Sequence, residues 1–312
     1  MSLLRVHCAH DFGADAHADL VRRVRDVADI TFGAEAPDPA AVDVLIAGRP
    51  ERRHLESMPR LRAVVVPWAG VGRATTELLA EFPAVALRNL HHNAAPTAEH
   101  AVALLLAAAR CIVPRDRRMR AHDWSDRGRD RTGVHLRGAR AVVLGFGAIG
   151  RLVAQALSGL GMAVTGVRSR AAPGEITGGV PVVGADAFPR ILPGARALVV
   201  CVPLTDATEG LVGERELALL GPEAVVVNVA RGPVVDERAL FEALRDGRLH
   251  GAGLDVWWRY PREGETRTPP AAYPFESLDN VVMTPHCAGH CDVTESLRAE
   301  ALAAVLRELA AP

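Results

Sequence analysis

The feature that most constrains this chain is a glycine turn near its middle, Gly145-x-Gly147-x-x-Gly150. An apolar run at residues 141–144 precedes the turn, and a helix-like segment at residues 151–160 follows it. This order is typical of a site for the pyrophosphate of a dinucleotide, because the glycines permit close backbone approach and the helix N-terminus offers N–H donors. A further apolar run at residues 163–167 stands where a βαβ unit needs its next strand, which favours this interpretation over an unrelated glycine-rich turn.

Length and charge limit the class of protein. A chain of 312 residues, 49% of them hydrophobic, is long enough for about two domains. The net charge of −1 provides no general attraction to nucleic acid or to an anionic membrane, so neither is expected as a partner. No apolar run reaches the ~18 residues of a membrane span, and the first residues run into strand-like sequence rather than a signal peptide. A cytoplasmic location is therefore expected.

The cysteines indicate reduced thiols. Their number, five, is odd, and their positions have no disulfide-framework spacing. The run His286-Cys287-x-x-His290-Cys291 superficially resembles a metal site. No second Cys/His pair has the usual zinc spacing, and the neighbours of His286 favour another role, so no metal is expected.

The N-terminal part has the pattern of an α/β domain. Strands are predicted at residues 3–8, 42–47, 61–66 and 85–88, and a helix at residues 15–27. The third strand leads into the glycine-rich loop Pro67-Trp-Ala-Gly-Val-Gly72, and open α/β sheets bind ligands at the carboxyl ends of their strands. We interpret this loop as a candidate anion cradle for a substrate, although an ordinary turn is equally consistent with the local sequence.

A long apolar helix is predicted from about Thr97, with Pro96 in its first turn. Residues 101–109 are apolar almost all the way round, so this helix must be buried inside the subunit or against a partner. The arginine-rich stretch that follows, as far as Gly138, interleaves acids with bases and has no aromatic recognition surface. It indicates a solvated connector rather than a nucleic-acid site.

The βαβ rhythm continues after the glycine turn. Strands are predicted at residues 197–202, 224–229, 251–255 and 281–286, and helices at residues 236–245 and 293–309. Nearly continuous apolar strands are expected in a parallel sheet that is covered on both faces. Arg231 follows the second of these strands and His286 ends the last, so both side chains reach the same edge of the sheet. The guanidinium of Arg231 is suited to binding a carboxylate.

Several motifs in this order resemble those of the D-isomer-specific 2-hydroxyacid dehydrogenase family. Besides the glycine turn they are Val229-Ala-Arg-Gly-Pro-Val-Val-Asp236, Gly253-Leu-Asp-Val256, Thr284-Pro-His-Cys-Ala-Gly289 and the helix entrance Asn93-Ala-Ala-Pro-Thr-Ala-Glu99. The resemblance covers nearly the whole chain and is far more specific than a lone glycine motif.

The resemblance implies an α/β fold with two Rossmann-like domains and parallel sheets, in which the nucleotide domain is inserted into the substrate domain. Residues 1–95 and 289–312 would form the discontinuous substrate domain, and residues 96–288 the dinucleotide-binding domain. It also implies a homodimer, built largely on the nucleotide domain and the helix after Pro96.

Residue by residue, the resemblance implies that Arg231 binds the substrate carboxylate and polarises its keto oxygen, that His286 is the acid/base, and that Asp255 lies near the nicotinamide. The N–H groups of Ala69 and Gly70 would hold the carboxylate. From the sequence itself, Trp68, Trp257, Trp258 and Arg259 are candidates for lining the pocket. A structural ion pair for Arg231 and a core position for His286 are the alternatives. The predicted coenzyme contacts are Gly145, Gly147, Ala148, Ile149, Gly150, Arg168, Ser169, Arg170, Pro203, Thr208, Val229, Arg231, Asp255, His286 and Gly289.

One position departs from the family. A glutamate that pairs with the catalytic histidine usually precedes the proline after the Asp-Val segment, but Tyr260 stands there in this chain, before Pro261. A phenol of pKa ~10 can hydrogen-bond an imidazole but carries no charge at pH 7, so it holds the proton of an imidazolium less firmly. The formate dehydrogenases of the family have glutamine there, so catalysis does not require the carboxylate. Glu263 or Glu265, in the loop that follows, is the alternative partner.

The residues after the second strand of the nucleotide domain bear on the coenzyme. NAD-selective domains place an acid there, whereas this chain has Val167-Arg168-Ser169-Arg170, whose guanidinium groups suit a 2′-phosphate. NADP(H) is therefore the expected coenzyme, with NAD(H) as the alternative if the arginines merely face solvent. Two functions follow from the whole sequence: a nicotinamide-dependent oxidoreductase of a small 2-oxo or 2-hydroxy acid, or a cofactor-sensing, corepressor-like binding protein without turnover.

Overall fold

The computed structural model describes residues 3–128 and 133–311. Residues 129–132, which belong to the expected connector, lie outside the described residues. In chain order the strands are β1 (Leu4–Cys8), β2 (Ala28–Phe32), β3 (Val44–Ile46), β4 (Ala63–Val66), β5 (Ala86–Asn89), β6 (Arg140–Leu144), β7 (Ala163–Arg168), β8 (Ile176–Thr177), β9 (Val180–Gly184), β10 (Ala195–Val200), β11 (Val225–Asn228), β12 (Gly251–Leu254) and β13 (Val281–Met283). The helices are α1 (Ala14–Val24), α2 (Arg52–Ser57), α3 (Arg73–Ala80), α4 (Ala94–Ala109), α5 (Ile112–Arg120), α6 (Ala148–Gly159), α7 (Phe188–Ile191), α8 (Glu214–Leu220), α9 (Glu237–Arg245) and α10 (Thr294–Ala310).

The chain divides into two compact units. Met1–Asn93 with His290–Pro312 form one, which we call the terminal unit, and Ala94–Gly289 form the other, the central unit. The assignment of substrate and coenzyme roles to these units stays a prediction.

Among the described residues, the terminal unit contains a five-stranded sheet in the order β2-β1-β3-β4-β5, with every pair parallel. Strands β3 and β4 are buried along their whole length, which explains why their sequences are continuous apolar runs rather than alternating ones. One face of the sheet packs with α1 and α10 through residues such as Leu20 and Leu302, and the other with α2 and α3 through Leu55 and Leu79.

The described part of the central unit contains an eight-stranded sheet in the order β13-β12-β11-β10-β6-β7-β9-β8. All neighbours pair in parallel except the short β8, which is antiparallel to β9. The chain order reverses beside β6, between β10 and β7, and such a point opens a crevice at the carboxyl ends of the strands. With parallel strands dominating both units, the predicted α/β architecture is confirmed.

Two apolar clusters cover the faces of the central sheet. One includes Phe188, Leu217 and Leu240 from α7, α8 and α9, and the other includes residues of α4 and α6. The Asp236 carboxylate accepts a hydrogen bond from the N–H of Ala239 at 2.7 Å and so caps α9, which begins directly behind the loop of Arg231.

Helix α4 lies directly on the sheet. A Cβ atom on Gly253 of β12 would stand 2.7 Å from Cβ of Leu104, so only glycine permits this approach. The side of α4 that faces away from the sheet is exposed at Ala95, Glu99, Ala103 and Leu106. Helix α5, which follows, has no buried residue among those described and belongs to the expected solvated stretch. In the described ranges no single helix is long and apolar enough to cross a membrane; only α4 and α5 taken together, bent by 67°, meet that test.

Candidate active site

The glycine turn follows β6 and begins α6. Gly145 has φ of 101°, and a Cβ there would lie 2.6 Å from the carbonyl carbon of Cys201. A Cβ on Gly150 would lie 1.9 Å from the carbonyl oxygen of Gly145, so helix and strand can pack this closely only without a side chain. Apart from the neighbouring residues of the turn itself, no atom of the described residues lies within 4 Å of the corresponding point on Gly147. The turn therefore has an open cradle in front of the first N–H groups of α6, where Ala148 and Ile149 lie, and a dinucleotide pyrophosphate fits it.

The residues after β7 are only partly available to a ligand. Arg168 donates through Nη2 to Oε2 of Glu175 at 2.5 Å and through Nε to the carbonyl of Arg170 at 2.7 Å. The N–H of Ala172, the Thr177 hydroxyl and Arg168 hold the pKa of Glu175 below its usual range. Ser169 and Arg170 are exposed. The sequence did not identify Glu175, whose approach to Arg168 depends on the folding of the loop between β7 and β8.

Two further predicted coenzyme contacts are held by the protein itself. The Thr208 hydroxyl donates to the carbonyl of Pro203 at 2.6 Å and accepts from the N–H of Thr205 at 2.8 Å, which shapes the loop after β10. Val229 is buried just after β11, and its N–H donates to the carbonyl of Val200 at 3.3 Å. Their contacts with a coenzyme stay predictions.

The turn that carries Arg231 is built on Asn228, at the end of β11. The Asn228 side chain is fully buried; its Oδ1 accepts from the N–H of Ala230 and its Nδ2 donates to the carbonyl of Arg231, both at 3.0 Å. Arg231 itself donates through Nη1 to the carbonyl of Ala230 at 2.6 Å. Within the described ranges Arg231 forms no ion pair with a carboxylate, so the structural alternative for this arginine gains no support.

Gly232 brings the next loop close to Arg231. A Cβ on Gly232 would lie 2.2 Å from the carbonyl oxygen of Trp257, so glycine is required for this approach of two backbones. The loop then reaches Tyr260, whose pKa is raised by burial more than the positive charge of Arg231 lowers it. The phenol is therefore neutral at physiological pH.

Tyr260 and His286 are in contact. The phenol oxygen lies 2.8 Å from Nδ1 of His286 and accepts the N–H of Trp257 at 3.2 Å. The hydroxyl can donate to Nδ1 of a neutral imidazole or accept from the N–H of an imidazolium, so it can partner both protonation states. The predicted position of Tyr260 beside His286 is confirmed. Glu265 is instead bound within its own loop, by the N–H of Arg262 and the hydroxyl of Thr268, and Glu263 is exposed.

Asp255 lies beneath the loop of His286. Its carboxylate is 1% exposed and accepts hydrogen bonds from the Thr284 hydroxyl at 2.6 Å and from the N–H groups of Cys287 and Ala288, both at 2.9 Å. His286, between these donors, has a left-handed backbone with φ of 57°. The Asp255 side chain is thus hydrogen-bonded to the loop that carries His286. Its position near a nicotinamide stays a prediction. Gly289 ends the central unit directly after this loop.

Trp257 and Trp258, in the central unit, are held by packing and by hydrogen bonds from their indole nitrogens. Trp257 is buried and donates through Nε1 to the carbonyl of Thr284 at 2.8 Å. Trp258 donates to the carbonyl of Val235 at 3.0 Å and stacks on Phe275 with ring centroids 5.4 Å apart. Their lining of a substrate pocket stays a prediction.

In the terminal unit the predicted substrate loop follows β4. The ring of Trp68 occupies the space that a side chain on Gly48 would need and makes an edge contact with His10 at 5.3 Å. Asn89 donates through Nδ2 to the carbonyl of Ala69 at 2.7 Å and so fixes the loop. Among the described residues no acceptor takes the N–H groups of Ala69 and Gly70, as an anion cradle requires. Their binding of a substrate carboxylate stays a prediction.

Comparison with known proteins identifies the family. Residues 102–288 match the profile described as D-isomer specific 2-hydroxyacid dehydrogenase, NAD binding domain. The chain is 33% identical to a glyoxylate reductase of Pyrococcus furiosus over 257 residues, which cover 80% of this chain and 73% of that one. It is 31% identical to a glyoxylate reductase of Thermococcus onnurineus over 297 residues, covering 92% and 82%.

A solved structure agrees over the full length. The D-isomer specific 2-hydroxyacid dehydrogenase from Xanthobacter autotrophicus, in complex with NADPH and MES, is 30% identical and superposes with a TM-score of 0.79, covering 100% of this chain and 96% of that one. These matches and the glycine turn agree with the resemblance that the motifs indicated. The chain therefore belongs to the D-isomer specific 2-hydroxyacid dehydrogenase family and is an NAD(P)-dependent oxidoreductase of 2-hydroxy and 2-oxo acids.

Proposed function

We propose that the protein reduces a small 2-oxo acid with NADPH, and oxidises the 2-hydroxy acid in reverse, with His286 as the acid/base and Arg231 as the substrate clamp. The observation that carries this proposal is the hydrogen bond of 2.8 Å between Tyr260 and Nδ1 of His286, at the sheet edge that also carries Arg231. The hydrogen bond occupies Nδ1, so proton exchange with a substrate would use Nε2.

Bound NADP(H) supplies or accepts the hydride. The glycine turn from Gly145 to Gly150 would hold its pyrophosphate against the N-terminus of α6, and the loop shaped by Thr208 would lie beside it. Arg168, Ser169 and Arg170 would bind the adenosine end.

Arg231 would bind the substrate through its planar fork of N–H donors. Its charge is not neutralised by a carboxylate in the described part of the chain, and Asn228 fixes the backbone that carries it. The guanidinium can therefore hold a carboxylate and stabilise negative charge that develops on the carbonyl oxygen.

His286 would donate the proton in reduction, from Nε2 of the imidazolium to the carbonyl oxygen, and accept it in oxidation. Tyr260 keeps the ring oriented in both states because its hydroxyl can donate or accept. The Asp255 carboxylate accepts the N–H groups of Cys287 and Ala288, which follow His286 in the chain, and would thereby position His286.

The preference for NADP(H) is supported by the side chains after β7. None of Val167, Arg168, Ser169 and Arg170 has a carboxylate that would repel a 2′-phosphate, and Ser169 and Arg170 are exposed. Glu175 uses part of the charge of Arg168 but also orients its guanidinium. The Xanthobacter relative was solved with NADPH.

A homodimer is supported by exposed apolar side chains on α5 and just beyond it: Ile112 is 52%, Met119 42% and Trp124 62% exposed. A second copy of the chain would cover them together with the exposed side of α4. A reducing compartment, the cytoplasm, is supported by the five cysteines, which all lie in the described ranges and are free thiols.

The test is coenzyme oxidation, followed by absorbance, against a panel of 2-oxo acids that includes glyoxylate, hydroxypyruvate and pyruvate, with NADPH and NADH in parallel. We expect turnover with at least one acid and a higher kcat/KM for NADPH. A kcat/KM for NADH that equals or exceeds that for NADPH would contradict the coenzyme preference. Coenzyme binding without turnover on any acid would contradict the reductase and favour the coenzyme-sensing alternative.

A further inference from the structure

The backbone of His286 is held in an unfavourable conformation. A non-glycine residue with φ of 57° costs about 1–2 kcal/mol relative to the right-handed region, so neighbouring interactions must hold it. Asp255 provides two of these, by accepting the N–H groups of Cys287 and Ala288, which follow His286 in the chain. The conformation of His286 therefore depends on the orientation of a buried carboxylate.

His100, on the long helix α4, reaches this carboxylate from the opposite side. Its Nε2 lies 3.0 Å from Oγ1 of Thr284 and 3.7 Å from Oδ1 of Asp255. A carboxylate can only accept, so the Thr284 hydroxyl, 2.6 Å from Oδ1, donates its hydrogen to Asp255. Nε2 of His100 must then carry a hydrogen and donate it to Thr284. The chain of donors runs in one direction, from His100 through Thr284 to Asp255.

We propose that His100 is a positioning residue for the reaction, which acts through Thr284 and Asp255 to keep His286 in its left-handed conformation. The inference rests on the proposed role of His286. His100 belongs to a helix whose buried side packs on β11 and β12, so it is anchored independently of the loop that it restrains. The proposed role of His100 involves no contact with substrate.

A metal ion is the competing explanation for the same atoms. The ligand atoms of His100, Asp255 and Cys287 all lie within 4.8 Å of one another, which suits zinc. Both carboxylate oxygens of Asp255 and Nε2 of His100 already have hydrogen-bond partners in the protein, however. Hydrogen bonds alone therefore account for the cluster, and activity should survive removal of metal ions.

The experiment compares His100→Ala, His100→Gln and the control Val102→Ala, which lies on the same helix and packs in the apolar cluster without joining the network. The amide nitrogen of glutamine can replace Nε2 as a donor. We expect His100→Ala to lower kcat about tenfold, because one or two hydrogen bonds are lost. The KM values for both substrates should stay within about twofold of those of the wild type. His100→Gln should recover most of kcat, and Val102→Ala should keep it.

Hydrogen exchange of the peptide that contains Cys287 and Ala288 provides a second readout that needs no turnover. His100→Ala should speed exchange in this loop, while His100→Gln should not. Full kcat and unchanged exchange in His100→Ala, failure of glutamine to restore either, or loss of wild-type activity on treatment with a chelator would each overturn the proposal. A wild type that turns over no 2-oxo acid would refute the function of His286, and hydrogen exchange would still decide the role of His100.

Discussion

The hydroxyl oxygen of Tyr260 lies 2.8 Å from Nδ1 of His286. The resemblance of the motifs implies that other members of the family have a glutamate at the position of Tyr260. Burial raises the pKa of Tyr260, so this partner carries no charge at physiological pH. An imidazolium beside a neutral phenol gains a hydrogen bond but no ion pair. The pH dependence of the reaction should therefore differ from that of an enzyme with the carboxylate.

Tyr260→Glu tests this difference. A carboxylate favours the imidazolium, so the variant should keep the proton that reduction needs up to a higher pH than the wild type does. In the wild type, the rate of reduction should fall with rising pH at a lower midpoint than in the variant. The rate of oxidation, which needs the neutral imidazole, should persist to a lower pH. Profiles of kcat/KM in both directions, with chemistry shown to be rate-limiting, give the result. Superimposable pH profiles of the wild type and the variant would contradict the role of Tyr260 as the partner that sets the pH dependence of His286.

Arg231→Lys should lose most activity although it keeps the charge. Lysine is a point charge and cannot replace the planar fork that holds carboxylate and carbonyl together, so kcat/KM should fall about 100-fold, or about 2.7 kcal/mol. Arg238→Lys is the matched control, since Arg238 is exposed on α9 and paired with Glu242. Near-normal kcat/KM in Arg231→Lys, with the control equally active, would exclude Arg231 as the clamp.

The glycines of the turn should separate stability from coenzyme binding. Gly150→Ala places a Cβ 1.9 Å from the carbonyl of Gly145 and should cost about 2 kcal/mol, which lowers Tm by about 4–8 °C. The Cβ of Gly147→Ala would meet no atom of the described residues beyond its chain neighbours, so the free energy of unfolding should change by less than about 0.5 kcal/mol while KM for NADPH rises about tenfold. Thermal melts and coenzyme titrations measure both effects. An unchanged KM for Gly147→Ala would contradict pyrophosphate binding at this turn.

Trp124→Glu should weaken the proposed dimer. The charge would have to be buried against the partner, which costs several kcal/mol without a compensating group. Ile176→Glu, a similar change at a 68% exposed side chain of β8, should have no effect. Sedimentation velocity gives the mass of each variant. A monomeric wild type, or a dimer equally stable in Trp124→Glu, would contradict the surface.

The sequence predicts most of the central strands because parallel strands buried on both faces must be continuous apolar runs. It does not reveal β2, whose polar Asp29 and Thr31 reflect a position at the sheet edge, nor the pair β8 and β9, whose short strands are separated by Gly178 and Gly179. Helices α2 and α3 are short and carry few buried residues, so they leave little periodic signal.

The residues of the candidate site also include some that the sequence predicts and some that it does not. Arg231, Tyr260 and His286 are predictable because they stand in local motifs whose order is informative. Asn228, Thr284 and His100 are not, because their roles come from hydrogen bonds made in the folded chain, and His100 is 184 residues from its partner Thr284. Motifs therefore predict the groups that would touch ligands better than the groups that hold them.

The most direct test of the role of His286 is the single-turnover oxidation of bound NADPH by the preferred 2-oxo acid in the wild type and in His286→Gln. The glutamine keeps the size of the side chain but cannot donate a proton from an imidazolium. We predict that the rate of the hydride step falls by a factor of about 10²–10⁴ in the variant, with Kd for NADPH unchanged. A variant that transfers hydride at the wild-type rate would contradict the central claim that His286 is the acid/base of this enzyme.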